Sequence, residues 1–369
     1  MADHTGIEWT DATWNPIVGC SVVSPGCTNC YAMKQAARIE RMQPGSHYAG
    51  TTQPSKAGAV WTGEMRLAPD HILTQPLRWR RPRRIFVNSM GDLFHESVPD
   101  EWIDRVFAVM ALCPQHTFQV LTKRSARMRA YSSDPKTPRR IYELACDMVI
   151  LHRIQVVLIL PGMDEWLAPA GPRVYLDKWP LPNVWLGVSA EDQRRADERV
   201  PDLLATPAAI RFISAEPLLG LINLRRIRIA PDHHTILDAL DGYAIADSIA
   251  GSGQERAMLD LVIVGGESGP DARPMHPDWA RSLRDQCAAA GTAFFFKQWG
   301  EWKDGSDFAP DAMAVTADGR TIAADQATLE SADRVAHLIN PTMMRRVGKA
   351  RAGRLLDGIE HNAMPEVRR

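Results

Sequence analysis

Short apolar runs rich in β-branched residues alternate with helical patterns from about residue 84 to residue 300. The run RIFVNSMGDLF begins the series, and segment 98–113 behind it shows apolar residues at helical spacing. Strands that are apolar throughout, each followed by a helix, belong in a parallel sheet covered on both faces. We therefore predict an α/β fold, a partial or complete (β/α) barrel of about six to seven parallel strands, with an open doubly wound sheet as the alternative. The other strand candidates are 116–124, 183–191, 210–220, 259–269 and 292–300, and a further N-terminal strand lies around WNPIVG, residues 14–19, before the three cysteines.

The chain has 369 residues, of which 45% are hydrophobic, so it can bury a large core. We predict a barrel-like domain over residues 1–300, interrupted by two segments with a weak core pattern at about 43–70 and 231–258. The remaining segment, 301–369, is predicted to be a small C-terminal appendage. Its sequence indicates a hairpin about Asp318 and Gly319.

Three cysteines, Cys20, Cys27 and Cys30, are spaced C-x6-C-x2-C near the start of the chain. This spacing indicates a metal-binding loop, in which Pro25 and Gly26 turn the chain before the second cysteine. Structural zinc usually has four protein ligands, whereas a cubic iron–sulfur cluster can be held by three thiolates. The alternative is that the cysteines are small buried hydrophobic residues. We apply that interpretation to the remaining cysteines, Cys113, Cys146 and Cys287.

The composition predicts a cytoplasmic protein. The first residues are polar and acidic and contain no apolar signal-peptide core. Six cysteines in 369 residues is not the density of a disulfide-bonded secreted scaffold, so we expect reduced thiols. No apolar run reaches the length that spans a bilayer, and we expect no membrane partner.

The charge of the chain does not by itself indicate nucleic-acid binding. The formal net charge is −1, which gives no global basic surface. Basic residues do crowd into LRWRRPRR, segment 77–84. This segment is either a phosphate-contacting patch or a solvated linker before a strand, and we favour the linker.

Polar or small residues follow nearly every predicted strand. In a parallel β/α series the carboxyl ends of the strands meet at one edge, where catalytic residues gather. A shared polar edge favours an enzyme over a binding scaffold. The candidate site residues at this edge are Asn88, Ser89, Asp92, Lys123, Arg124, Glu191, Glu216, Gly265, Gly266 and Glu267.

Distinctive motifs cover residues 6–300 and 350–365. They are EWTDATWNPIVGC, the cysteine run, NSMGDLFH, LTKR, GVSAE, ISAEPLLG, IVGGESG, FFFKQWG and RLLDG. Together they resemble the phage-associated gene-product 37/68 family, which carries a three-cysteine motif. A cysteine triplet after the first strand of a β/α series also resembles the radical S-adenosylmethionine superfamily, whose usual spacing is C-x3-C-x2-C.

The superfamily resemblance implies a cofactor and a reaction type. Cys20, Cys27 and Cys30 would bind three irons of a [4Fe–4S] cluster, and S-adenosylmethionine would bind the fourth iron. Reductive cleavage of S-adenosylmethionine would give a 5′-deoxyadenosyl radical that abstracts hydrogen from an unknown substrate. The phage context of the resemblance suggests a nucleotide or nucleic acid as substrate, and a partner protein is a further expectation.

Several strand-end residues have side chains that could bind parts of this cofactor. The loop Asn88–Asp92 would accept hydrogen bonds from the methionyl ammonium group. Glu191 or Glu216 would accept from the ribose hydroxyls, as carboxylates commonly do. The structural alternatives are that Asp92 caps a helix or bonds within its own loop, and that Glu216 is an extended strand-end residue before a proline.

The remaining candidate residues at the strand ends are two glycines and two basic residues, which would contact the cofactor in different ways. Gly265 and Gly266 would let the backbone approach the adenine or methionine closely, although two glycines also mark a tight turn. Lys123 and Arg124 would pair with the cofactor carboxylate or with a substrate phosphate.

Two other classes of function compete with the radical enzyme. The first is a zinc site, structural or hydrolytic, with His4, His47 or His95 as the fourth ligand. The second is a non-catalytic interaction protein in which a metal only fastens the N-terminus. The sequence lacks the G-x-S-x-G motif of an ordinary hydrolase.

The N-terminal tryptophans Trp9, Trp14 and Trp61 also allow two interpretations. They could stack on a nucleobase at the polar edge. Packing over a large buried area is the commoner role of tryptophan, and we favour it.

Overall fold

The computed structural model describes residues 5–56, 58–154, 157–159, 173–175, 178–229, 235–246, 254–255, 257–305, 312–323 and 341–366. By the density of its internal contacts the chain divides into two compact units, which we describe separately. The first unit comprises Met1–Val23, Cys30–Gly187 and Ala205–Arg211. The second unit comprises Ser24–Asn29, Val188–Leu204 and Phe212–Arg369. Within the described ranges, no helix is both long and apolar enough to cross a membrane.

Seven strands form the main parallel sheet, and their order in the sheet is their order in the chain. A doubly wound sheet reverses its strand order at a switch point, whereas a (β/α) barrel does not. The predicted α/β class, a partial (β/α) barrel, is therefore confirmed. The strands are β1 (Ala12–Trp14), β2 (Arg84–Val87), β3 (Thr117–Thr122), β4 (Val184–Ser189), β5 (Ile210–Ala215), β6 (Leu261–Gly265) and β7 (Ala293–Gln298).

The sheet forms because its strands are apolar on both faces. Every residue of β4 and of β6 is buried, as expected for parallel strands covered on both sides. In the first unit, β1 runs parallel to β2 with Ala12 opposite Ile85. In the second unit, β6 runs parallel to β7 with Leu261 opposite Ala293.

The helices begin and end with recognisable signals. In the first unit, α3 has Asp100 and Glu101 in its first turn, where carboxylates interact favourably with the helix dipole. In the second unit, α7 begins behind His276, whose side chain accepts a hydrogen bond from the Asp278 backbone N–H, and ends at Gly291 in the left-handed region. The helices are α1 (Tyr31–Met42), α2 (Asp70–Leu73), α3 (Asp100–Ala111), α4 (Ser125–Ser133), α5 (Thr137–Leu151), α6 (Gln193–Ala205) and α7 (Pro277–Ala290), with a short turn at Lys349–Ala352.

The predicted segment 43–70 contributes two small antiparallel ladders to the first unit. Thr52–Ser55 pairs with Gly58–Trp61, and Ile17–Val18 pairs with Arg66–Leu67. The second ladder holds the chain immediately before Cys20. The first unit also contains a parallel pair outside the main sheet, Val157–Ile159 with Arg173–Tyr175.

The predicted segment 231–258 is part of a four-stranded antiparallel sheet in the second unit. Residues 231–234, 247–253 and 256 of that segment lie outside the described residues. The strands, in sheet order, are Ile227–Ile229, Thr235–Asp238, Tyr243–Ala246 and Gln254–Glu255.

The predicted C-terminal appendage forms another four-stranded antiparallel sheet and belongs to the second unit, as do β6 and β7. The predicted hairpin is confirmed, because Ala312–Val315 pairs antiparallel with Thr321–Ala323. Gly319 has a φ of +93° in the connecting turn, a conformation that favours glycine. The strands, in sheet order, are Trp302–Asp304, Thr342–Arg346, Ala312–Val315 and Thr321–Ala323.

The tryptophans and the arginine-rich segment have structural contacts in the first unit. Trp9, Trp14 and Trp61 are all buried, which confirms the packing interpretation. In the arginine-rich segment, the Arg83 guanidinium lies 4.9 Å from the centre of the Trp79 ring, and Arg84 donates a backbone hydrogen bond to Asp11. These are contacts of a structural linker, while Arg80 and Arg81 are exposed.

Asp357 joins the C-terminal segment to α7 within the second unit. Its carboxylate accepts hydrogen bonds from Arg281 and Arg284, which lower the pKa of Asp357 to about 2. The folded-state pKa of Asp357 is lower than its pKa in the unfolded chain, which is about 4. The ion pairs therefore stabilise the fold fully above that unfolded-state pKa, and this stabilisation is lost as the pH falls toward 2. The carboxylate is 37% exposed, so solvent screening limits the contribution to about 0.5–1 kcal/mol.

We therefore expect Asp357→Asn to lower the free energy of unfolding at pH 7 by about 0.5–1 kcal/mol. The difference from wild type should shrink between pH 5 and pH 3, as measured by urea unfolding at each pH. Asp285→Asn is the control, since that exposed carboxylate also contacts Arg284 but belongs to neither of the Asp357 ion pairs. A difference that stays constant over this pH range would contradict the assignment to the Asp357 ion pairs.

Candidate functional site

Cys20 and Cys30 pack against the same hydrophobic cluster of the first unit. Cys20 follows Gly19, whose φ is +100° and whose added Cβ would lie 2.0 Å from the Glu64 carbonyl oxygen. Cys30 is the N-cap residue of α1, where the helix dipole favours a thiolate. The cluster consists of Val18, Ala32, Met33, Ala36, Tyr48, Trp61 and Met90.

Arg124 is a cation that contacts Cys20. Its side chain is 4% exposed, and Nη1 donates a hydrogen bond to Cys20 Sγ over 3.4 Å. Burial opposes the charge of this guanidinium, but the Asp92 carboxylate and the Cys20 sulfur outweigh it and raise the pKa of Arg124. A positive charge beside the sulfur favours the thiolate form of Cys20, which is the form that binds metals.

Asp92 is saturated with hydrogen bonds. Its Oδ1 accepts from Thr122 Oγ1 at 2.6 Å and from the Phe94 backbone N–H at 3.1 Å. Its Oδ2 accepts from the Lys123 backbone N–H at 3.1 Å and from Arg124 Nη1 at 3.2 Å. Asp92 was predicted to bind the ammonium group of the cofactor. In the structure its carboxylate oxygens instead accept from protein groups, and one of these contacts holds the Arg124 guanidinium.

Ser21 and His95 extend the contacts of Arg124. Arg124 Nη2 donates to Ser21 Oγ at 2.6 Å, and Ser21 Oγ lies 2.9 Å from His95 Nε2. The Ser97 backbone N–H donates to His95 Nδ1, so the proton of the neutral imidazole is on Nε2. Burial, and after it the charge of Arg124, lower the pKa of His95. Both ring nitrogens of this candidate zinc ligand are therefore engaged.

The other histidines proposed as a fourth zinc ligand differ from His95. Burial lowers the pKa of His47, and its Nε2 atom is buried without a hydrogen-bond partner among the described residues. His4 lies outside the described residues.

Asn88 and Ser89 lie at the end of β2. Asn88 is 3% exposed and has a φ of +58°, and its Oδ1 accepts from the Ile17 backbone N–H at 3.3 Å. Because that contact orients the amide, Nδ2 is left as a buried donor with no partner among the described residues. Ser89 Oγ donates to Asn15 Oδ1 at 3.1 Å. Asn15 Oδ1 also accepts from the Met90 backbone N–H, a contact that no sequence motif predicted.

In the second unit, the loop Ser24–Asn29 carries Cys27, which is buried. Cys27 Sγ lies 3.8 Å from Ser24 Oγ. The Gly26 backbone N–H donates to Glu191 Oε1 at 3.1 Å, and Glu191 Oε2 accepts from Arg199 Nη1 at 3.1 Å. Both charged side chains are nearly inaccessible to solvent. Glu191, one of the two carboxylates predicted to accept from ribose hydroxyls, therefore anchors the cysteine loop.

Glu267 holds the other end of the same loop. Its Oε2 accepts from Asn29 Nδ2 at 3.0 Å and from Arg273 Nε at 2.8 Å. Arg273 Nη2 also donates to the Pro25 carbonyl oxygen. Burial works against the charge of Glu267, but the Arg273 hydrogen bonds outweigh it and lower the pKa of Glu267. Arg273 was not predicted, because no motif marks a residue that reaches the loop only in the folded chain.

Glu216 and Lys297 meet at the ends of β5 and β7. Lys297 Nζ donates to Glu216 Oε1 at 2.5 Å. A Cβ on Gly265 would lie 3.2 Å from that oxygen, and a Cβ on Gly266 would lie 2.0 Å from the Trp299 carbonyl oxygen. Other atoms of the protein thus lie close to both predicted glycines, so the fold by itself explains why these positions lack a side chain.

Glu267→Gln is expected to loosen the cysteine loop of the second unit. The neutral amide keeps the size of the side chain but removes the charge that binds Arg273, which is worth about 1–2 kcal/mol for a charge-assisted hydrogen bond. Amide hydrogen exchange over residues 26–29 should therefore become about 5- to 30-fold faster. Glu198→Gln, an exposed change in the same unit, should leave this exchange unchanged. Equal rates in both variants would show that Glu267 does not hold the loop.

In the part of the chain that it describes, the structure does not bring the predicted metal ligands into a preformed metal site. Within the described ranges, no three or more His, Cys, Asp or Glu side chains form a group ready to hold a metal ion. All six cysteines lie in the described ranges, and none of them forms a disulfide. The three-cysteine motif thus supplies soft sulfur donors, and its metal remains a prediction.

The fold and this motif define a class, a β/α protein with a three-cysteine loop after its first strand. Residues 4–365 match the family described as protein of unknown function DUF5131. The chain belongs to that family. Comparisons with curated proteins and with solved structures gave no match.

Proposed function

We propose that the protein is an iron–sulfur enzyme of the radical S-adenosylmethionine type, with Cys20, Cys27 and Cys30 as the cluster ligands. The observation that carries the proposal is the hydrogen bond from the buried Arg124 guanidinium to Cys20 Sγ. A buried cation beside a cysteine favours a thiolate, and thiolates are the ligands of iron–sulfur clusters.

The donor set supports this cofactor. Sulfur ligands select iron–sulfur clusters, zinc and copper(I) over hard cations. Three thiolates suit a cubic cluster that keeps one iron free for another ligand. Such a cluster, with S-adenosylmethionine bound, supplies the one-electron chemistry that begins hydrogen-atom abstraction. We also propose a cytoplasmic location, because cysteines without disulfides and such a cluster are typical of a reducing compartment.

The protein's own residues would orient the cysteine loop and bind the cofactor. Glu191 and Glu267 anchor the loop that carries Cys27, and the buried Asn88 Nδ2 group is a donor without a partner among the described residues. This buried amide N–H could donate a hydrogen bond to a carboxylate ligand. The sequence predicted that the loop of Asn88 accepts hydrogen bonds from the ammonium group of the cofactor. The Asn88 Nδ2 group is instead a donor, and a donor cannot accept from an ammonium. Nucleotide or nucleic acid is the proposed substrate class, on the family resemblance.

The test is anaerobic reconstitution of the full chain with iron and sulfide. Optical and EPR spectra would be recorded with and without S-adenosylmethionine. We expect about four irons per chain and a reduced EPR signal that shifts when S-adenosylmethionine is added. Cys27→Ser should lose the signal, whereas Cys113→Ser, a change of a buried cysteine outside the motif, should retain it.

Three results would contradict the proposal. A colourless protein with one zinc ion would support the structural or hydrolytic zinc site instead. An iron signal that S-adenosylmethionine does not shift would remove the radical mechanism. Equal iron content in Cys27→Ser and Cys113→Ser would show that the cysteine motif does not bind the iron.

A further inference from the structure

We propose that Arg124 is a positioning residue for the metal site, which orients the Cys20 sulfur and tunes the bound metal through an N–H···S hydrogen bond. This inference deepens the proposed function and depends on metal binding at the cysteine motif. It concerns a side chain that comes 104 residues after Cys20 in the chain and that was predicted to bind a cofactor carboxylate or a phosphate.

The guanidinium contacts four neighbours in the first unit, and one of them is the exposed Glu96 carboxylate, 3.5 Å from Nε. Nη1 contacts Cys20 Sγ at 3.4 Å and Asp92 Oδ2 at 3.2 Å. Nη2 contacts the Ser21 carbonyl oxygen at 3.3 Å and Ser21 Oγ at 2.6 Å. A planar guanidinium bonded on both terminal nitrogens has little freedom to rotate. Its N–H bond therefore points at the sulfur before any metal binds.

The support behind the guanidinium is itself rigid. Asp92 accepts from Thr122 Oγ1 and from two backbone N–H groups, in Phe94 and Lys123. The carboxylate is thus fixed to the end of β3 and to its own loop. Since the Arg124 side chain is almost fully buried, solvent does not weaken the contact with Cys20.

These contacts leave the guanidinium little capacity for a ligand. A residue that binds a cofactor carboxylate presents its free N–H groups in a fork to that ligand. Here both terminal nitrogens already bind Asp92, Cys20 and Ser21. The geometry favours a role through Cys20 over direct binding of a carboxylate or phosphate.

The Arg124 contact should make reduction of a bound cluster more favourable. A hydrogen bond to a ligating sulfur and a nearby positive charge both stabilise the more negative, reduced form of an iron–sulfur cluster. Loss of the Arg124 contact should make reduction less favourable. Groups that orient a metal ligand also contribute about 10- to 100-fold to metal affinity.

The experiment compares Arg124→Gln, Arg124→Lys and Ser21→Ala with wild type after anaerobic reconstitution. The control is Arg127→Gln, which removes an arginine of α4 that pairs with Asp100. Each chain is first checked for folding by its circular dichroism and thermal unfolding. The readouts are the midpoint potential, from an EPR-monitored redox titration, and the iron retained against a chelator.

We expect the equilibrium constant for reduction to fall about tenfold in Arg124→Gln, which is about 59 mV for one electron. Iron retention should fall about 10- to 100-fold. Arg124→Lys keeps the charge and should fall between Arg124→Gln and wild type. Ser21→Ala should shift both readouts in the same direction by a smaller amount, and Arg127→Gln should match wild type.

Each other outcome decides a different point. Folded Arg124→Gln with wild-type potential and retention overturns this inference and leaves the proposed function intact. If Arg124→Gln does not fold, an unchanged Ser21→Ala overturns it. If wild type takes up zinc instead of iron, the proposed function fails, and equal zinc affinities in wild type and Arg124→Gln overturn the inference as well. A wild-type chain that binds neither metal overturns both.

Discussion

Asp92→Ala is expected to lower the free energy of unfolding by about 3–5 kcal/mol. The substitution removes the carboxylate that accepts from Arg124 at 3.2 Å while the guanidinium stays buried. The remaining carboxylate partner, Glu96, lies 3.5 Å from Arg124 Nε and is 65% exposed, so it compensates the buried charge poorly. Removing the buried member of the pair therefore costs far more than the loss of an exposed pair. It also leaves the Thr122 hydroxyl and the Lys123 N–H without their acceptor.

The measurement is urea unfolding of wild type and Asp92→Ala, followed by circular dichroism. Asp70→Ala is the matched control in the same unit, because Asp70 is exposed and pairs with Arg105 at the surface. That variant should lose at most about 1 kcal/mol. If Asp92→Ala loses no more than the control, Asp92 does not compensate Arg124, and the rigid support assigned to the guanidinium is wrong.

Gly266→Ala is expected to destabilise the second unit by about 3 kcal/mol, the upper end of the range for overpacking. The added methyl group would lie 2.0 Å from the Trp299 carbonyl oxygen and 2.6 Å from its carbon. Both atoms belong to the backbone, so a change of rotamer cannot relieve the contact. The Gly266 N–H also donates to the Gln298 carbonyl oxygen at 2.9 Å, which holds the two segments together.

Thermal and urea unfolding would measure the effect. Gly220→Ala is the control in the same unit, because its methyl group would meet Asp192 Cβ at an ordinary 3.4 Å. It should change the free energy of unfolding by less than about 0.5 kcal/mol. A Gly266→Ala protein as stable as Gly220→Ala would mean that the strand end can shift, and a cofactor-contact role for this glycine would regain weight.

The α/β class could be predicted because its signals are local. β4 and β6 are continuous apolar runs, and such runs indicate strands buried on both faces before any partner is known. The hairpin about Gly319 was predictable for the same reason, since turn chemistry resides in a few consecutive residues. Trp14 was correctly predicted to pack, because its large apolar surface favours burial whatever surrounds it.

The candidate site was predicted only in part. The sequence identified the cysteine motif and the polar strand ends, but it assigned Glu191 and Glu267 to a cofactor. In the folded second unit these carboxylates bind Gly26 and Asn29, which are far from them along the chain. Arg273 was missed, although it pairs with Glu267 and also reaches the Pro25 carbonyl oxygen.

By itself, the sequence of this protein determined which segments become strands and helices and where three thiols lie together in the chain. Only the tertiary structure decided that Arg124 donates to Cys20 and that Asp92 holds Arg124. Secondary structure follows from hydrophobic periodicity and turn chemistry within a few residues. A buried charge instead takes whichever partner the packed chain brings within hydrogen-bond distance, and that choice is made by contacts between distant segments.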